Sequence, residues 1–357
     1  MPASYNILLM GASYGSLLAS KLLFGGHSIH LVCLPAEADL INAEGFKVRL
    51  PVRGRKDPVL LESRKLPGKV TAGPAAGVDP KKFDLIGLCM QEPQYRSPGV
   101  RELLDAVAKS RVPCMSIMNM PPLPYVKRIP GLDYEALKPA YTDPTVWDSF
   151  DPATITLNSP DPQAIRPPDG KANELLVTLP TNFKCAKFDD AGYTAILRRL
   201  ESDVDAARFD TPEGKIELPV KFKVYDSIFV PLAKWAMLLA GNYRCVTKDG
   251  MRTAQEAVWS DIETSRSVYN FVFDLCVKLG AKPGDLVPFE KYAEAAKSLS
   301  RPASAARALQ NGAPNIERAD KLVQLIAKLK GLSNAAIDAQ VALVDARLEA
   351  NRKKQAA

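Results

Sequence analysis

The chain has 357 residues, 46% of them hydrophobic and 24% charged, with a formal net charge of +7. That length buries a substantial core and exceeds one compact domain of ordinary size, so two domains are predicted. No apolar stretch reaches the roughly 18 to 20 residues of a membrane span, and the basic residues are dispersed apart from Arg352, Lys353 and Lys354, which argues against both a membrane and a nucleic-acid partner.

The modest positive balance suits attraction of anionic ligands. The opening MPASYNILLM runs straight into a core strand, so a cytoplasmic protein is expected. Cys33, Cys89, Cys114, Cys185, Cys245 and Cys276 are widely spaced, with no CxxC pair. They read as buried free thiols, and no metal is expected.

Asn6 to Met10 (NILLM) is a short apolar run ending in a glycine-bearing turn, Gly11-Ala12-Ser13-Tyr14-Gly15, after which Leu17, Leu18, Leu22 and Leu23 recur at helical spacing. Gly25-Gly26-His27 closes that helix and Ile29 to Leu34 supplies a second strand, completing a βαβ unit. Glycines in such a turn let the backbone approach a pyrophosphate, whose charge is stabilised by free amides and the helix dipole. The usual GxGxxG spacing is replaced here by GxSxG, one residue shorter, with Ser13 where the phosphates come closest. Gly11, Ala12, Ser13, Tyr14 and Gly15 are the candidate dinucleotide-binding residues. The same five residues spell the nucleophile elbow of a serine hydrolase. That chemistry needs a histidine base far downstream, and the chain has only His27 and His30. Both are assigned structural roles.

Discrimination between NAD and NADP is normally written at the end of the second strand, as an acidic residue for the ribose hydroxyls or an arginine for the extra phosphate. Cys33, Leu34 and Pro35 are neither. Arg53, Arg55 and Lys56 in the next loop are the nearby basic candidates, and on the residues alone the choice stays open.

Further on, Phe83 to Met90 and Met115 to Met118 read as buried strands whose ends lead to Gln91 and Asn119. Proline recurs from Met120 to about Leu175 (Pro121, Pro122, Pro124, Pro130, Pro139, Pro144, Pro152), so long regular elements are not expected there. Such a stretch suits a cover for the ligand crevice, or else a surface elaboration or oligomer contact. Glu174 to Leu179 and Lys184 to Phe188 read as late strands, and Gly192 to Leu200 begins the passage into helices. In Ile228 to Asn242, residues Ile228, Leu232, Trp235, Ala236 and Leu239 share one helical face. Lys234 points elsewhere, near Gly241 and loosely in line with Asn242, about 12 Å along the axis. Ala257 to Leu279 predicts a central buried helix ending at Gly280, and Ile337, Val341, Val344 and Leu348 mark a closing amphipathic helix capped by Ser333. The predicted fold is α/β, an N-terminal Rossmann doubly wound sheet over 1–210 with a proline-rich insert at about 120–175, followed by an all-α C-terminal domain over 211–357.

Gly11 to Leu18 (GASYGSLL), Gly26-His27 and Leu40 to Pro51 (LINAEGFKVRLP) resemble the opening of the ketopantoate reductases, in which a short helix and a hairpin follow the second strand. The resemblance extends over nearly the whole chain apart from the proline-rich stretch. It implies a nicotinamide coenzyme, NADP with NAD as the alternative, a 2-oxo or 2-hydroxy acid substrate bound between the domains, and a homodimer. Where that family carries a lysine and then an Asn-Gly pair near the coenzyme, this chain has Gln91 and Asn119-Met120, so Gln91 and Asn119 are carried over as cofactor-binding. Lys234-Trp235 resembles the setting of the family's catalytic lysine, which would stabilise the developing oxyanion and deliver its proton. Asn242 and Ser304 match substrate-contacting positions, and Gly312-Ala313-Pro314 matches the turn before a glutamate. The glutamate position itself holds Ile316. Glu317 follows one residue late, and on a helix that shift rotates a side chain by about 100°, so Glu317 is not expected to inherit the role. Two alternatives stay beside this reading: an opine-type or other 2-hydroxyacid dehydrogenase with a larger substrate, and a non-catalytic homologue, which Ser13, Gln91 and Met120 favour.

Overall fold

The computed structural model describes residues 4–167 and 169–356; the first three residues of the opening run, Pro168 and Ala357 lie outside the described residues. The chain divides into two compact units, one made of the chain up to Met90, Gln94–Met118 and Val146–Ile228, the other of Gln91–Pro93, Asn119–Thr145 and the chain from Phe229 on.

The first unit begins with β1 (Asn6–Met10), α1 (Ala12–Phe24), β2 (Ser28–Val32) and α2 (Pro35–Glu44), followed by β3 (Lys47–Leu50), β4 (Val59–Glu62), β5 (Val70–Gly73), β6 (Leu85–Leu88), α3 (Val100–Ser110) and β7 (Cys114–Ile117). Ile7 to Met10 are buried without alternation, as a strand covered on both faces must be. β1 lies between β2 and β6, parallel to both, with Met10 level with Val32 and with Leu88. The chain thus winds outward through β2 and β5 and then crosses back to β6. This reversal opens the crevice in which doubly wound sheets take ligands, at the C-terminal ends of β1 and β6.

A one-turn helix, α4 (Leu123–Val126), belongs to the second unit; the first resumes with β8 (Ile155–Ser159), β9 (Gln163–Ile165), β10 (Glu174–Leu179), β11 (Phe183–Ala186), α5 (Ala191–Ala206), β12 (Phe209–Thr211), β13 (Gly214–Ile216) and β14 (Phe222–Tyr225). The main sheet has eight strands in the order β14-β11-β8-β7-β6-β1-β2-β5, a smaller sheet runs β4-β3-β10-β9, and β12 and β13 form a hairpin. The expected hairpin after α2 is the antiparallel pair β3 and β4.

The stretch read as a proline-rich insert is interior structure in both units. Residues 146–175 supply β8 to the main sheet and β9 to the smaller one. Residues 119–145 belong to the helical unit, where Leu123, Tyr125, Val126 and Leu137 are buried and the Tyr141 hydroxyl donates to the Pro121 carbonyl at 2.8 Å. Prolines exclude long elements there but not burial. The first unit also continues past residue 210 to Ile228, because β14 pairs in parallel with β11.

In the second unit the predicted helix over Ile228 to Asn242 is composite. A 3-10 turn (Pro231–Ala233) leads into α6 (Lys234–Met237), a π segment (Leu238–Asn242) and a second 3-10 turn (Tyr243–Cys245). The π turn has a local cause. The Tyr292 hydroxyl donates to the Met237 carbonyl at 3.2 Å, and a Cβ placed on Gly241 would lie 1.9 Å from that hydroxyl oxygen. A side chain that inserts into the backbone ladder is a recognised source of such bulges, and only glycine leaves it room.

The single helix expected over Ala257 to Leu279 is two, α7 (Ala254–Trp259) and α8 (Ile262–Lys278), because the Asp261 carboxylate accepts from the Thr264 amide and starts a new N-terminus. Val277 is 37% exposed, so α8 buries one face instead of its whole circumference. The remaining helices are α9 (Phe289–Ala296), α10 (Ser304–Gln310), α11 (Ala319–Leu329) and α12 (Ala335–Ala356). The Asn334 carboxamide, in place of the expected Ser333, accepts from the Ala336 and Ile337 amides at the start of α12. Among the described residues no helix is long and apolar enough to cross a membrane.

Gly241→Ala is expected to destabilise the protein by roughly 2 kcal/mol, the cost of overpacking a filled site. Urea denaturation checks it, and in the Tyr292→Phe background the same substitution should cost clearly less. Equal costs in both backgrounds would dissociate the π turn from the tyrosine.

Candidate functional site

The turn after β1 sits at the reversal of strand order. Gly11 adopts φ 110°, and a Cβ there would meet Met90 Cγ at 2.7 Å and the Cys89 carbonyl oxygen at 3.1 Å. Only glycine fits this position. Gly15 plays the packing role, since a Cβ on it would already stand 3.3 Å from Cys89 Cβ. α1 begins immediately at Ala12 with no side-chain cap and no acidic residue in its first turn. Its leading amides point out of the helix start, an arrangement that receives an anion. Ala12 is buried and Ser13 exposed, while Tyr14 commits its hydroxyl to the Pro162 carbonyl and packs its ring edge on Phe183. Tyr14 therefore has only its amide to offer a phosphate. The residues of this turn fit a pyrophosphate despite the shortened spacing.

Neither histidine competes for a catalytic role. His27 is buried, takes the Tyr5 amide at Nδ1 and faces Asp203 at 3.2 Å, and His30 pairs with Thr71. Ser13 therefore has no base of the kind a serine nucleophile needs. Arg55, considered for an extra phosphate, is paired with Glu213.

In the second unit a cleft is lined by Gln91, Asn119, Asn242, Tyr243, Ser304 and Glu317, floored by Leu238 and Ile316. It brings together four residues that the sequence had assigned separately to coenzyme and substrate. Gln91 and Ser304 are exposed at its rim, and Asn119 and Asn242 are half-buried. Asn119 donates from Nδ2 to Glu317 Oε2 at 3.1 Å, which fixes the orientation of its amide. Its Oδ1 is then buried with no hydrogen-bond partner. A buried acceptor without a partner in the chain is uncommon, and the residue that carries it lines the cleft.

Glu317 corrects the expectation from the sequence. The 100° rotation applies only on a helix, and Ile316 to Arg318 precede α11 as irregular backbone. The Glu317 side chain reaches the cleft, where the Glu92 amide also approaches Oε1 at 3.4 Å. The backbone around it is locked. The Tyr243 hydroxyl donates to the Glu317 carbonyl and accepts from the Ala319 amide at 2.9 Å, while Arg318 forks onto Asp320 at 2.9 and 3.0 Å. Arg318 also pairs with Asp345. Met120 is fully buried, and its Sδ accepts from the Arg318 amide.

Burial pushes the Glu317 carboxyl up to about 7, against the hydrogen bonds from Asn119, Glu92 and Met120 and the nearby positive charge of Lys234. Glu92 was not singled out from the sequence. It too is raised to about 7 by burial, with the negative charge of Glu317 adding to the shift, and Thr142 holds it through its amide at 3.0 Å and its hydroxyl at 2.8 Å. Lys234 itself is half-buried on α6, beside the fully buried Trp235. The π segment changes its relation to Asn242. On a regular helix eight positions leave the two about 80° apart, whereas one extra residue in a turn returns Asn242 to nearly the same face.

A Rossmann unit with this sheet order joined to a helical unit is the ketopantoate reductase type of fold. The solved structures it matches are of that kind. A 2-dehydropantoate 2-reductase from Methylococcus capsulatus aligns with a TM-score of 0.64 at 12% identity over 97% of each chain. D-mandelate dehydrogenase, solved with NADH and anilino(oxo)acetate, aligns at 0.61 and 13% over 97% of this chain and 99% of its own. A dimeric ketopantoate reductase from Staphylococcus aureus aligns at 0.59 and 10% over 97% and 99%. The sequence itself matches no family model and no curated protein.

Both buried carboxyls bind their protons more tightly in the folded chain than at the ordinary glutamate value of 4.5. A raised carboxyl contributes stability that is complete below that value and is lost as the pH climbs through about 7. Glu317→Gln carries no such proton and should lose less stability between pH 4.5 and 7.5, by on the order of 2 kcal/mol. Urea midpoints across that range measure it, and an unchanged slope would mean that water reaches the carboxyl.

Proposed function

We propose that the chain is a nicotinamide-dependent oxidoreductase that interconverts a 2-oxo acid and its 2-hydroxy acid, with Lys234 as the catalytic residue. The observation that carries this reading is the single cleft that gathers Asn119, Asn242, Ser304, Gln91 and Glu317. Its likeness in fold to 2-dehydropantoate reductases and to a D-mandelate dehydrogenase supports the reaction class. Gly11 to Gly15 and the first-turn amides of α1 hold the pyrophosphate, and the coenzyme, when bound, supplies the hydride.

The work of this chain's own residues follows from charge. A carbonyl carbon that accepts a hydride leaves negative charge on its oxygen. The Lys234 ammonium stabilises that oxygen and gives it a proton, so the product is an alcohol and the lysine is left as the neutral amine. Asn242 and Ser304 donate to the substrate carboxylate. Glu317 orients Asn119 and balances the charge of Lys234. The protein is proposed to act as a homodimer, as its Staphylococcus aureus neighbour is described.

The test is consumption of NADH and of NADPH across a panel of aliphatic and aromatic 2-oxo acids. Turnover with at least one of them is expected, and Lys234→Ala should lower kcat by about 10²- to 10⁴-fold, the usual contribution of a general acid, while coenzyme fluorescence titrations stay unchanged. No turnover with any member of the panel, or a K234A variant as active as the parent, removes the proposal.

A further inference from the structure

The C-terminal end of β2, where a Rossmann unit receives the adenosine ribose, carries no charged residue in the chain itself. Val32 ends the strand, and Cys33 still donates its amide to the Gly73 carbonyl at 3.0 Å. Two charged groups reach this point from elsewhere in the same unit. Glu37 stands in the first turn of α2, with its side chain only 14% exposed, and Arg166 comes from the connection between β9 and β10, 42% exposed. They are paired through Arg166 Nη2 and Glu37 Oε1. Both act on the Cys33 thiol, which burial and then the Glu37 carboxylate push up to about 12 against the pull of Arg166. That places the ion pair beside the strand end. Between Cys33 and Glu37 in sequence stands Leu34, 76% exposed, an apolar surface of the sort an adenine ring covers.

On the premise that this unit holds a nicotinamide dinucleotide, we propose that Glu37 is its specificity-determining residue and selects NAD(H) over NADP(H), with Arg166 positioning the carboxylate. Among the described residues Glu37 Oε2 has no partner, so it accepts a ribose 2′-hydroxyl while Oε1 stays with Arg166. A 2′-phosphate brings about two negative charges to the same place. It meets a fixed, largely buried carboxylate, and the guanidinium that would neutralise it is already engaged. Like charges brought this close in a partly desolvated place repel strongly, whereas the hydroxyl gains a charge-assisted hydrogen bond. Arg55 does not rescue the phosphate, because Glu213 holds it.

The experiment is fluorescence titration of the full chain with NADH and with NADPH, for the parent, Glu37→Gln, Arg166→Ala and the double variant. The parent should bind NADH at least tenfold more tightly than NADPH. E37Q frees the guanidinium and removes the repulsion, so NADPH affinity should rise tenfold or more, in line with one charge-assisted contact. R166A alone should not raise it, and adding R166A to E37Q should cancel the gain. A parent that binds NADPH as tightly as NADH, or an E37Q ratio equal to the parent's, overturns the role of Glu37 and leaves the coenzyme proposal standing. A parent that binds neither coenzyme overturns both.

Discussion

The candidate site depends on one hydrogen-bonded joint, the Tyr243 hydroxyl set between the Glu317 carbonyl and the Ala319 amide. These are the backbone groups on either side of Arg318, just where irregular chain becomes α11. A phenol that both donates and accepts ties that transition to the composite helix, so the cleft wall carrying Glu317 and the helix carrying Lys234 and Asn242 cannot move independently. The Arg318 guanidinium reinforces it from the other side by forking onto Asp320 and reaching Asp345. Asp320 is 1% exposed, and such a charge persists in an interior only with its partner in good geometry. Removing either member would leave the other uncompensated, which makes this part of the helical unit rigid by necessity.

Rigidity there offsets a cost elsewhere. Glu317 and Glu92 are both buried, and desolvation works against their charged forms. A core made only for stability would hold apolar side chains of similar volume. Instead Thr142 satisfies Glu92, while Asn119 and two backbone amides satisfy Glu317. The network is complete apart from Asn119 Oδ1. The residues that carry this network, Asn119 and Glu317, line the same cleft as Ser304 and Asn242.

Much of this architecture was legible in the residues, and the exceptions have physical causes. The βαβ opening could be read because an apolar run, a glycine at φ 110° and a leucine-periodic helix each obey local rules. Asn119, Asn242 and Ser304 were picked out only through the resemblance to ketopantoate reductases, and apart from one another; that they line one cleft became visible in the fold. The placement of Glu317 was not legible, because helical geometry was assumed for a segment that is not helical. Glu92 gave no signal, since a lone glutamate after a strand resembles any surface residue until Thr142 and Glu317 close over it. Arg166 lay hidden in the proline-rich stretch, and the sequence separates it widely from the Glu37 it pairs with. Proline content announced the absence of long helices correctly and concealed that β8 lies inside the main sheet.

The composite helix shows how a residue far from any chemistry shapes the site. Helical periodicity alone leaves Lys234 and Asn242 only loosely in line, about 80° apart. Tyr292 lies on α9, yet its hydroxyl takes the Met237 carbonyl and occupies the space above Gly241, and the ladder below accommodates one extra residue. That extra residue turns everything after it, so Asn242 comes back toward the face of Lys234 while Tyr243 swings to the Glu317 joint. A π turn forfeits good hydrogen-bond geometry and persists when something else holds it. Here the tyrosine hydroxyl and the missing Cβ of Gly241 hold it from opposite sides, so the face on which Asn242 stands is a property of packing in the helical unit.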